Sequence, residues 1–367
     1  MAEYKILLIT TGGTIAQTHD AQGRTVLGNT SNPFQECVDG IIAQLNENNI
    51  EGGTYTIGKI DIVQVFNKDS SNIISEDWIT IIDKIVDEYD NYNAFVVTHG
   101  TNTLGYTSSA LSFALGRLGK PVVMTGSQVS FGFPGSDAQM NLENAIRIAA
   151  YSKEKLAGVL VVFGSMIISG TRVKKTTEFD YDAFKSFNSG TLGRIGNSVR
   201  FTPDTLSMHM EFLGNLAKTK LELDVKKKFD THIASLTEYP GMDSSIFKAL
   251  VENSESDIRG FILRATGAGD PNVADANAAF RNLREGFEYL RDREIPIVVT
   301  TQAPDGVASM DINSPGMLAY SLGAIPARDM SMESMTVKLA WLLGKKIPYD
   351  LMREQMMQPF RGEIRRK

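Results

Sequence analysis

The sequence predicts a two-domain α/β fold, with a larger N-terminal domain built on a mostly parallel sheet flanked by helices and a smaller C-terminal α/β domain. The chain has 367 residues, which exceeds the usual size of one domain. Short apolar runs alternate with helical segments, as is typical of a parallel sheet covered on both faces. This alternation loosens after residue 195 and resumes near residue 230. We therefore expect a first domain over 1–196, a connector over 197–228 and a second domain over 229–367.

The first domain contains five strand candidates, each short and rich in Ile and Val. They lie at 4–9, 57–65, 94–98, 121–125 and 157–163. Helices are expected between them, at 75–90, 104–117 and 139–151. In the first of these helices Ser75 is the expected N-cap, and Trp78 is expected to pack in the core.

The second domain repeats the strand-then-helix pattern. Strands are expected at 231–236, 258–264 and 295–300, and helices at 245–253, 274–292, 331–344 and 348–358. The connector between the domains is polar, contains Pro203 and ends in a run of three lysines.

Composition and charge exclude several classes of partner. The chain has 37 basic and 43 acidic residues, a net charge of -6, so no basic excess is available to pair with nucleic acid phosphates. No apolar run approaches the length of a membrane span, and no secretory signal precedes the first strand. We expect a cytoplasmic protein with neither a nucleic acid nor a membrane partner. The single cysteine, Cys37, excludes an internal disulfide.

Four loops that follow predicted strands combine hydroxyls, glycines and amides. They span 10–14, 67–72, 98–103 and 125–128. The carboxyl ends of parallel strands line the ligand crevice of such sheets, and helix N-termini that follow favour an anionic group. Together the loops predict a site for a small, polar, partly anionic ligand.

Several chemistries do not match these loops. The first loop fits neither phosphate-binding glycine motif, although a phosphate cradle and a purely structural turn remain alternatives there. The four histidines lack metal-ligand spacing, so we expect no metal. The serine-hydrolase elbow is absent. The chemistry that remains for these loops is nucleophilic attack by a threonine hydroxyl that a base activates. The candidate base is a lysine in 170–178.

Seven motifs in order along the chain match one enzyme family. They are the segments 11–16, 69–72, 98–101, 120–128, 182–186, 239–241 and 360–363. Through them the sequence resembles the L-asparaginases of bacterial and archaeal type, and among these the cytoplasmic type I branch. The resemblance implies hydrolysis of the side-chain amide of L-asparagine, or of a related small amide, to an acid and ammonia. It also implies a cofactor-free homodimer or homotetramer in which a neighbouring subunit helps to close each site.

The resemblance also implies a role for individual residues. Thr14 matches the nucleophile, which would form an acyl-enzyme, while Thr101 and Lys175 match the pair that activates the attacking group. Backbone N–H groups near Thr101 would stabilise the oxyanion. The expected substrate-binding residues are Ser70, Ser71, Gly100, Asn102, Ser127 and, from the neighbouring subunit, Asp270.

Two positions depart from the family pattern. Asn102 stands where the family has an aspartate that pairs with the substrate ammonium, and an amide carries no negative charge. Arg24 stands where the type I branch has a tyrosine that helps to activate the nucleophile. Both departures put the choice of substrate in question.

Two alternatives to an asparaginase follow from the same residues. One is the ammonia-releasing subunit of a tRNA amidotransferase; such subunits usually carry an extra N-terminal domain, whereas here the first strand begins at Tyr4. The other is a catalytically weak binding or sensing protein of the same fold. Asn102 and Arg24 favour that interpretation, whereas the presence of Thr14, Thr101 and Lys175 favours an enzyme.

Overall fold

Two compact units make up the chain, Met1–Lys227 and Lys228–Lys367. The computed structural model describes residues 4–13, 15, 17–19, 25–27, 31–48, 57–151, 156–253, 255, 257–273 and 281–366. The first unit has a mostly parallel sheet, the second a parallel one, and each has its own helices, which confirms the predicted α/β class.

The first unit is built on an eight-stranded sheet. Its strands and those of two small hairpins are β1 (Tyr4–Gly12), β2 (Gln17–His19), β3 (Thr25–Leu27), β4 (Ile57–Lys68), β5 (Ala94–Thr98), β6 (Pro121–Thr125), β7 (Gly158–Phe163), β8 (Met166–Ser169), β9 (Val173–Lys175), β10 (Phe184–Ser186), β11 (Gly193–Ile195) and β12 (Val199–Phe201). The large sheet has the order β12-β11-β8-β7-β6-β5-β1-β4. Its five predicted strands run parallel, and β8, β11 and β12 extend one edge with antiparallel pairing.

Five helices accompany these strands. They are α1 (Ser31–Asn48), α2 (Ser75–Asp87), α3 (Leu104–Ala114), α4 (Ala138–Ala149) and α5 (Pro203–Leu213). The central strands are buried along their whole length, because helices cover the sheet on both faces. The segment 197–228, expected as a connector, carries β12 and α5, which the loosened pattern did not predict.

The predicted N-cap of α2 was wrong. The cap residue is Ile74, whose backbone N–H donates to the Asp77 carboxylate at 2.9 Å. Asp77 also accepts from Lys68 Nζ at 2.6 Å, so this acid ties the start of the helix to the end of β4. Trp78 packs in the core as predicted, with 8% of its surface exposed.

The second unit has a four-stranded parallel sheet in sequence order. Its elements are β13 (Ile233–Thr237), β14 (Gly260–Ala265), β15 (Ile297–Thr301), β16 (Ile325–Pro326), α6 (Ser245–Glu252), α7 (Arg284–Asp292), α8 (Ser314–Ser321), α9 (Met332–Gly344) and α10 (Tyr349–Met357). The helix predicted over 274–292 begins ten residues later, at Arg284, whose backbone N–H donates to the Asn282 side chain at 2.9 Å. Residues 274–280 of that prediction lie outside the described residues.

A buried ion pair closes the second unit. The Lys338 ammonium on α9 lies 2.7 Å from the Glu363 carboxylate, and both side chains are fully buried. Glu363 also accepts from the backbone N–H groups of Phe360 and Arg361, so the carboxylate shapes the turn it belongs to. Among the described residues no helix is long and apolar enough to cross a membrane.

Candidate functional site

Four neighbouring strands of the first unit bring the predicted site loops together. The order β6-β5-β1-β4 is parallel throughout, so the loops that follow these strands emerge at one edge of the sheet. These are the loops that the sequence singled out, and Ser70, Gly100, Thr101, Asn102 and Ser127 all lie in them.

Two glycines let the first and third of these loops pack backbone against backbone. Gly13 has φ +80°, and a Cβ there would lie 2.3 Å from the Cα of Gly100. A Cβ on Gly100 would in turn lie 2.6 Å from Ser70 Oγ. Gly13 N–H donates to Lys68 O at 3.0 Å, which fixes the end of β1 against β4. Glycine is required at both positions because no side chain fits between the loops. Thr14, the next residue, and Arg24 lie outside the described residues.

Lys175 and Thr101, predicted to act together, are in direct contact. Lys175 is the last residue of β9, and its Nζ donates to Thr101 Oγ1 at 2.8 Å and to Asn102 Oδ1 at 3.0 Å. Partial burial lowers the pKa of Lys175 and outweighs the negative charge of Glu178, which raises it. A lysine with a lowered pKa beside a threonine hydroxyl can accept a proton from that hydroxyl.

Asn102 connects this lysine with the second loop. An ammonium only donates hydrogen bonds, so the amide oxygen of Asn102 must face Lys175 and its Nδ2 must face Ser71 Oγ, at 2.9 Å. The Asn102 backbone N–H donates to Ser70 Oγ at 3.2 Å. Asp69 accepts from the Ser71 backbone N–H at 2.8 Å and so holds the short 3₁₀ turn that presents both serines.

Ser127 lies in the loop after β6, and its side chain is fully buried. Its hydroxyl has no hydrogen-bond partner among the residues that the structure describes. Two polar residues that the sequence did not indicate hold this loop. Asp137 accepts from the backbone N–H groups of Gln128 and Val129, and Asn141 Nδ2 donates to Gly126 O at 2.9 Å. The only sequence signal for Asp137 is its position directly before α4, where an acid is a common N-cap, but its carboxylate makes no capping hydrogen bond and holds the loop after β6 instead.

Asp270 belongs to the second unit, in the turn after β14. One carboxylate oxygen accepts from Asn313 Nδ2 at 2.7 Å and from the Ala268 backbone N–H at 3.2 Å. The other oxygen, Oδ1, is buried and has no partner within the described ranges. Its predicted role toward a neighbouring subunit therefore stays a prediction. Across the described residues of both units, no group of three or more His, Cys, Asp or Glu side chains is placed to hold a metal ion.

Two family models together match most of the chain. Residues 5–206 match the model described as "Asparaginase, N-terminal", and residues 232–356 match "Glutaminase/Asparaginase C-terminal domain". These matches fall on the first and the second unit respectively.

Similar proteins carry two different names. An L-asparaginase of Thermococcus kodakarensis is 32% identical over 360 residues, which cover 98% of this chain and 99% of that protein. L-asparaginase 1 of Escherichia coli (strain K12) is 34% identical over 296 residues, 81% of this chain and 82% of that protein. A glutamyl-tRNA(Gln) amidotransferase subunit of Aeropyrum pernix is 30% identical over 374 residues, 99% of this chain and 80% of that protein.

A solved structure agrees with the sequence comparison. The thermostable L-asparaginase from Thermococcus kodakarensis superposes with a TM-score of 0.80 at 31% identity, covering 99% of this chain and 100% of that one.

Proposed function

This chain belongs to the asparaginase family, and from that premise we propose that it hydrolyses the side-chain amide of L-asparagine, or of a related small amide, through a threonine nucleophile. Membership makes it an asparaginase-family hydrolase. The contact between Lys175 Nζ and Thr101 Oγ1, at 2.8 Å, carries the proposal, because a lysine that can act as a base is then hydrogen-bonded to a threonine hydroxyl.

In the proposed reaction Thr14 attacks the amide carbonyl and forms an acyl-enzyme. The residue before it in sequence, Gly13, packs against Gly100 of the third loop. The neutral amine of Lys175 takes the proton of the attacking hydroxyl through Thr101 and returns it to the amide nitrogen, so that the C–N bond breaks and ammonia leaves. Water then attacks the acyl carbon while the same pair takes its proton, and the proton passes to the Thr14 oxygen as the ester bond breaks and the acid leaves.

Charge that develops on the carbonyl oxygen needs a hydrogen-bond donor. The backbone N–H of Thr101 donates no hydrogen bond within the described part of the chain, and the residue is 6% exposed. We assign this N–H as a donor to the oxyanion. A donor already aimed at the developing charge does not have to reorganise during the reaction, which is why such groups contribute strongly to acyl transfer.

The remaining substrate contacts are proposed for the side chains around Thr101. Ser70 and Ser71 would hold the α-carboxylate and α-amino group, with Asn102 beside them, and Ser127 would border the amide end. Asn102 carries no charge, so an α-ammonium gains no ion pair from this residue. Losing a charge-assisted hydrogen bond costs about 1.5–3 kcal/mol, and we therefore expect weak binding of L-asparagine.

We further propose a homodimer or homotetramer in which a neighbouring subunit contributes Asp270. The buried, unpaired oxygen of Asp270 among the described residues supports a role in binding. Sedimentation velocity would give the oligomeric state. If Asp270 acts across an interface, Asp270→Asn should raise KM and leave the assembly intact.

Ammonia release from asparagine, glutamine and related amides tests the proposed function. Thr14→Ala and Lys175→Met should each reduce kcat by at least about a hundredfold, since both belong to one proton-transfer unit. Lys174→Met is the matched control, because successive side chains of a strand point to opposite faces, and it should retain activity. No release from any amide by the folded wild type would refute the hydrolase and favour a binding or sensing protein.

A second candidate function is ammonia supply to a tRNA amidotransferase. The 30% identity to the amidotransferase subunit of Aeropyrum pernix, over 99% of this chain, favours it. Such a protein would co-purify with a partner and release ammonia faster in its presence. Full amidase activity of the isolated chain, unchanged by cell extract, would count against this role.

A further inference from the structure

His99 lies directly before the loop that carries Thr101, and the reaction described above gives it no role. Its ring is fully buried at the end of β5. Nδ1 lies 2.7 Å from the Gly100 carbonyl oxygen, and Nε2 lies 2.9 Å from Thr107 Oγ1 on α3. Burial lowers the pKa of His99 to about 4, which the hydrogen bond to Gly100 and the charge of Asp77 oppose, so the ring is neutral near pH 7.

These contacts determine the tautomer of the ring. A carbonyl oxygen can only accept, so Nδ1 must carry the hydrogen and donate it to Gly100 O. In a neutral ring Nε2 then accepts, and the Thr107 hydroxyl must donate to it. The result is a directed chain of hydrogen bonds that runs from Thr107 through His99 to the peptide group between Gly100 and Thr101.

That peptide group has the oxyanion donor at its other end. Across a trans peptide the C=O of Gly100 and the N–H of Thr101 point in opposite directions. The imidazole therefore fixes the carbonyl on one side and turns the N–H of Thr101 away from itself. The same carbonyl hydrogen bond polarises the peptide group, which makes its N–H a stronger donor.

We propose that His99 is a positioning residue that orients and polarises the Thr101 N–H for the oxyanion. It touches neither substrate nor nucleophile and acts through the Gly100–Thr101 peptide. Glycine at position 100 makes this control necessary, because a glycine leaves its own backbone dihedral angles loosely constrained. This role of His99 rests on the proposed amide hydrolysis, in which the Thr101 N–H must face the oxyanion.

A pair of amide variants separates the two ends of the ring. Asn has its amide nitrogen as many bonds from Cβ as Nδ1 of histidine, so His99→Asn keeps the donor to Gly100 O. Gln places its amide at the distance of Nε2, so His99→Gln keeps the Thr107 contact and loses that donor. Removing an oxyanion donor lowers kcat about 10²- to 10³-fold, and a misaligned donor lowers kcat by less because it still makes part of the hydrogen bond. We expect kcat to fall about 10- to 100-fold in His99→Gln and less than about threefold in His99→Asn, with KM nearly unchanged in both.

Three measurements accompany the kinetics: thermal unfolding, binding of aspartate, and ammonia release by the wild type. Equal kcat losses in both folded variants, or losses in KM alone, would overturn the positioning role while the proposed function stands. An inactive wild type would overturn both. If the variants at His99 do not fold, Thr107→Val keeps the imidazole and should lower kcat severalfold, with recovery in Thr107→Ser. A Thr107→Val enzyme with wild-type kcat would then overturn the role.

Discussion

Replacing Gly13 with alanine tests whether the first and third loops meet as closely as the structure indicates. The new Cβ would lie 2.3 Å from the Cα and 2.4 Å from the N of Gly100, whereas ordinary contact begins at 3.4 Å. The loops must separate by about 1 Å to relieve this overlap, because the two atoms of Gly100 belong to the backbone and cannot rotate away. The displaced loop carries Thr101.

The loss in free energy of unfolding in Gly13→Ala has two parts, and the same substitution at a second glycine measures the backbone part alone. Gly13 has φ +80°, and a left-handed conformation costs an L-residue about 1–2 kcal/mol. Gly132 has φ +84°, but a Cβ there would meet no atom within 4 Å. Gly132→Ala should therefore cost about 1–2 kcal/mol. Gly13→Ala adds an overpacking cost of about 1–3 kcal/mol and should reach about 2–5 kcal/mol.

Calorimetry and ammonia release would be measured on both variants. Gly13→Ala should unfold at a clearly lower temperature than Gly132→Ala. It should also lose about a hundredfold in kcat, since a 1 Å displacement of a catalytic group can cost that much. Gly132→Ala should keep its kcat. Equal destabilisation in the two variants, or a fully active Gly13→Ala enzyme, would refute the close contact between Gly13 and Gly100.

Two further predictions concern charge. Asn102→Asp places a carboxylate about where Oδ1 now lies, 3.0 Å from Lys175 Nζ, and should raise the pKa of Lys175. The rise of kcat/KM with pH should then move to higher pH. An unchanged pH profile would argue against Lys175 as the base. Glu363→Gln leaves the buried Lys338 ammonium without a counter-charge and should cost about 3–5 kcal/mol in urea unfolding, with recovery when Lys338→Met is added. Burial opposes the ionised form of Glu363, but the Lys338 ammonium and two backbone N–H groups outweigh it and lower the pKa. Ionised Glu363 therefore contributes fully to the free energy of unfolding above the pKa of a glutamate in the unfolded chain, and this contribution is lost as the pH falls through the lower pKa of the folded state. Glu363→Gln should remove this pH dependence.

Strand burial explains which parts of the fold the sequence could predict. β5 and β6 were predicted with their observed ends because each is a continuous apolar run that stops where polar residues begin. The strands β11 and β12, at one end of the sheet, have only three residues each, and such short strands leave no clear periodicity. Helix α1 contains a proline and a glycine, which weaken the helical pattern.

The loops of the site were predictable, but the contacts within it were not. Strand order alone brings the four loops to one edge, and the strand candidates implied that edge. The residue pattern did not distinguish Lys174 from Lys175 as the candidate base, and only the resemblance selected Lys175. Because successive side chains of a strand point to opposite faces, only one of these two lysines can face Thr101, and in the structure it is Lys175. His99 gave no signal beyond its place in a motif, because the positioning role that we propose for it depends on the carbonyl of the next residue and on a hydroxyl eight residues away in sequence.

Asn102 fits its position in the candidate site without carrying a charge. Its amide accepts from the Lys175 ammonium and donates to Ser71 Oγ, so both ends of the side chain are satisfied. A carboxylate could make the first contact but could not donate the second, and Ser71 would then have to donate to it. With Asn102 the Ser71 hydroxyl accepts, which leaves its own hydrogen free to donate to a ligand. Relative to the aspartate of the family pattern, the asparagine lacks a negative charge and adds a hydrogen-bond donor, and in the substrate site that we propose both effects would favour an anionic group over a cationic one.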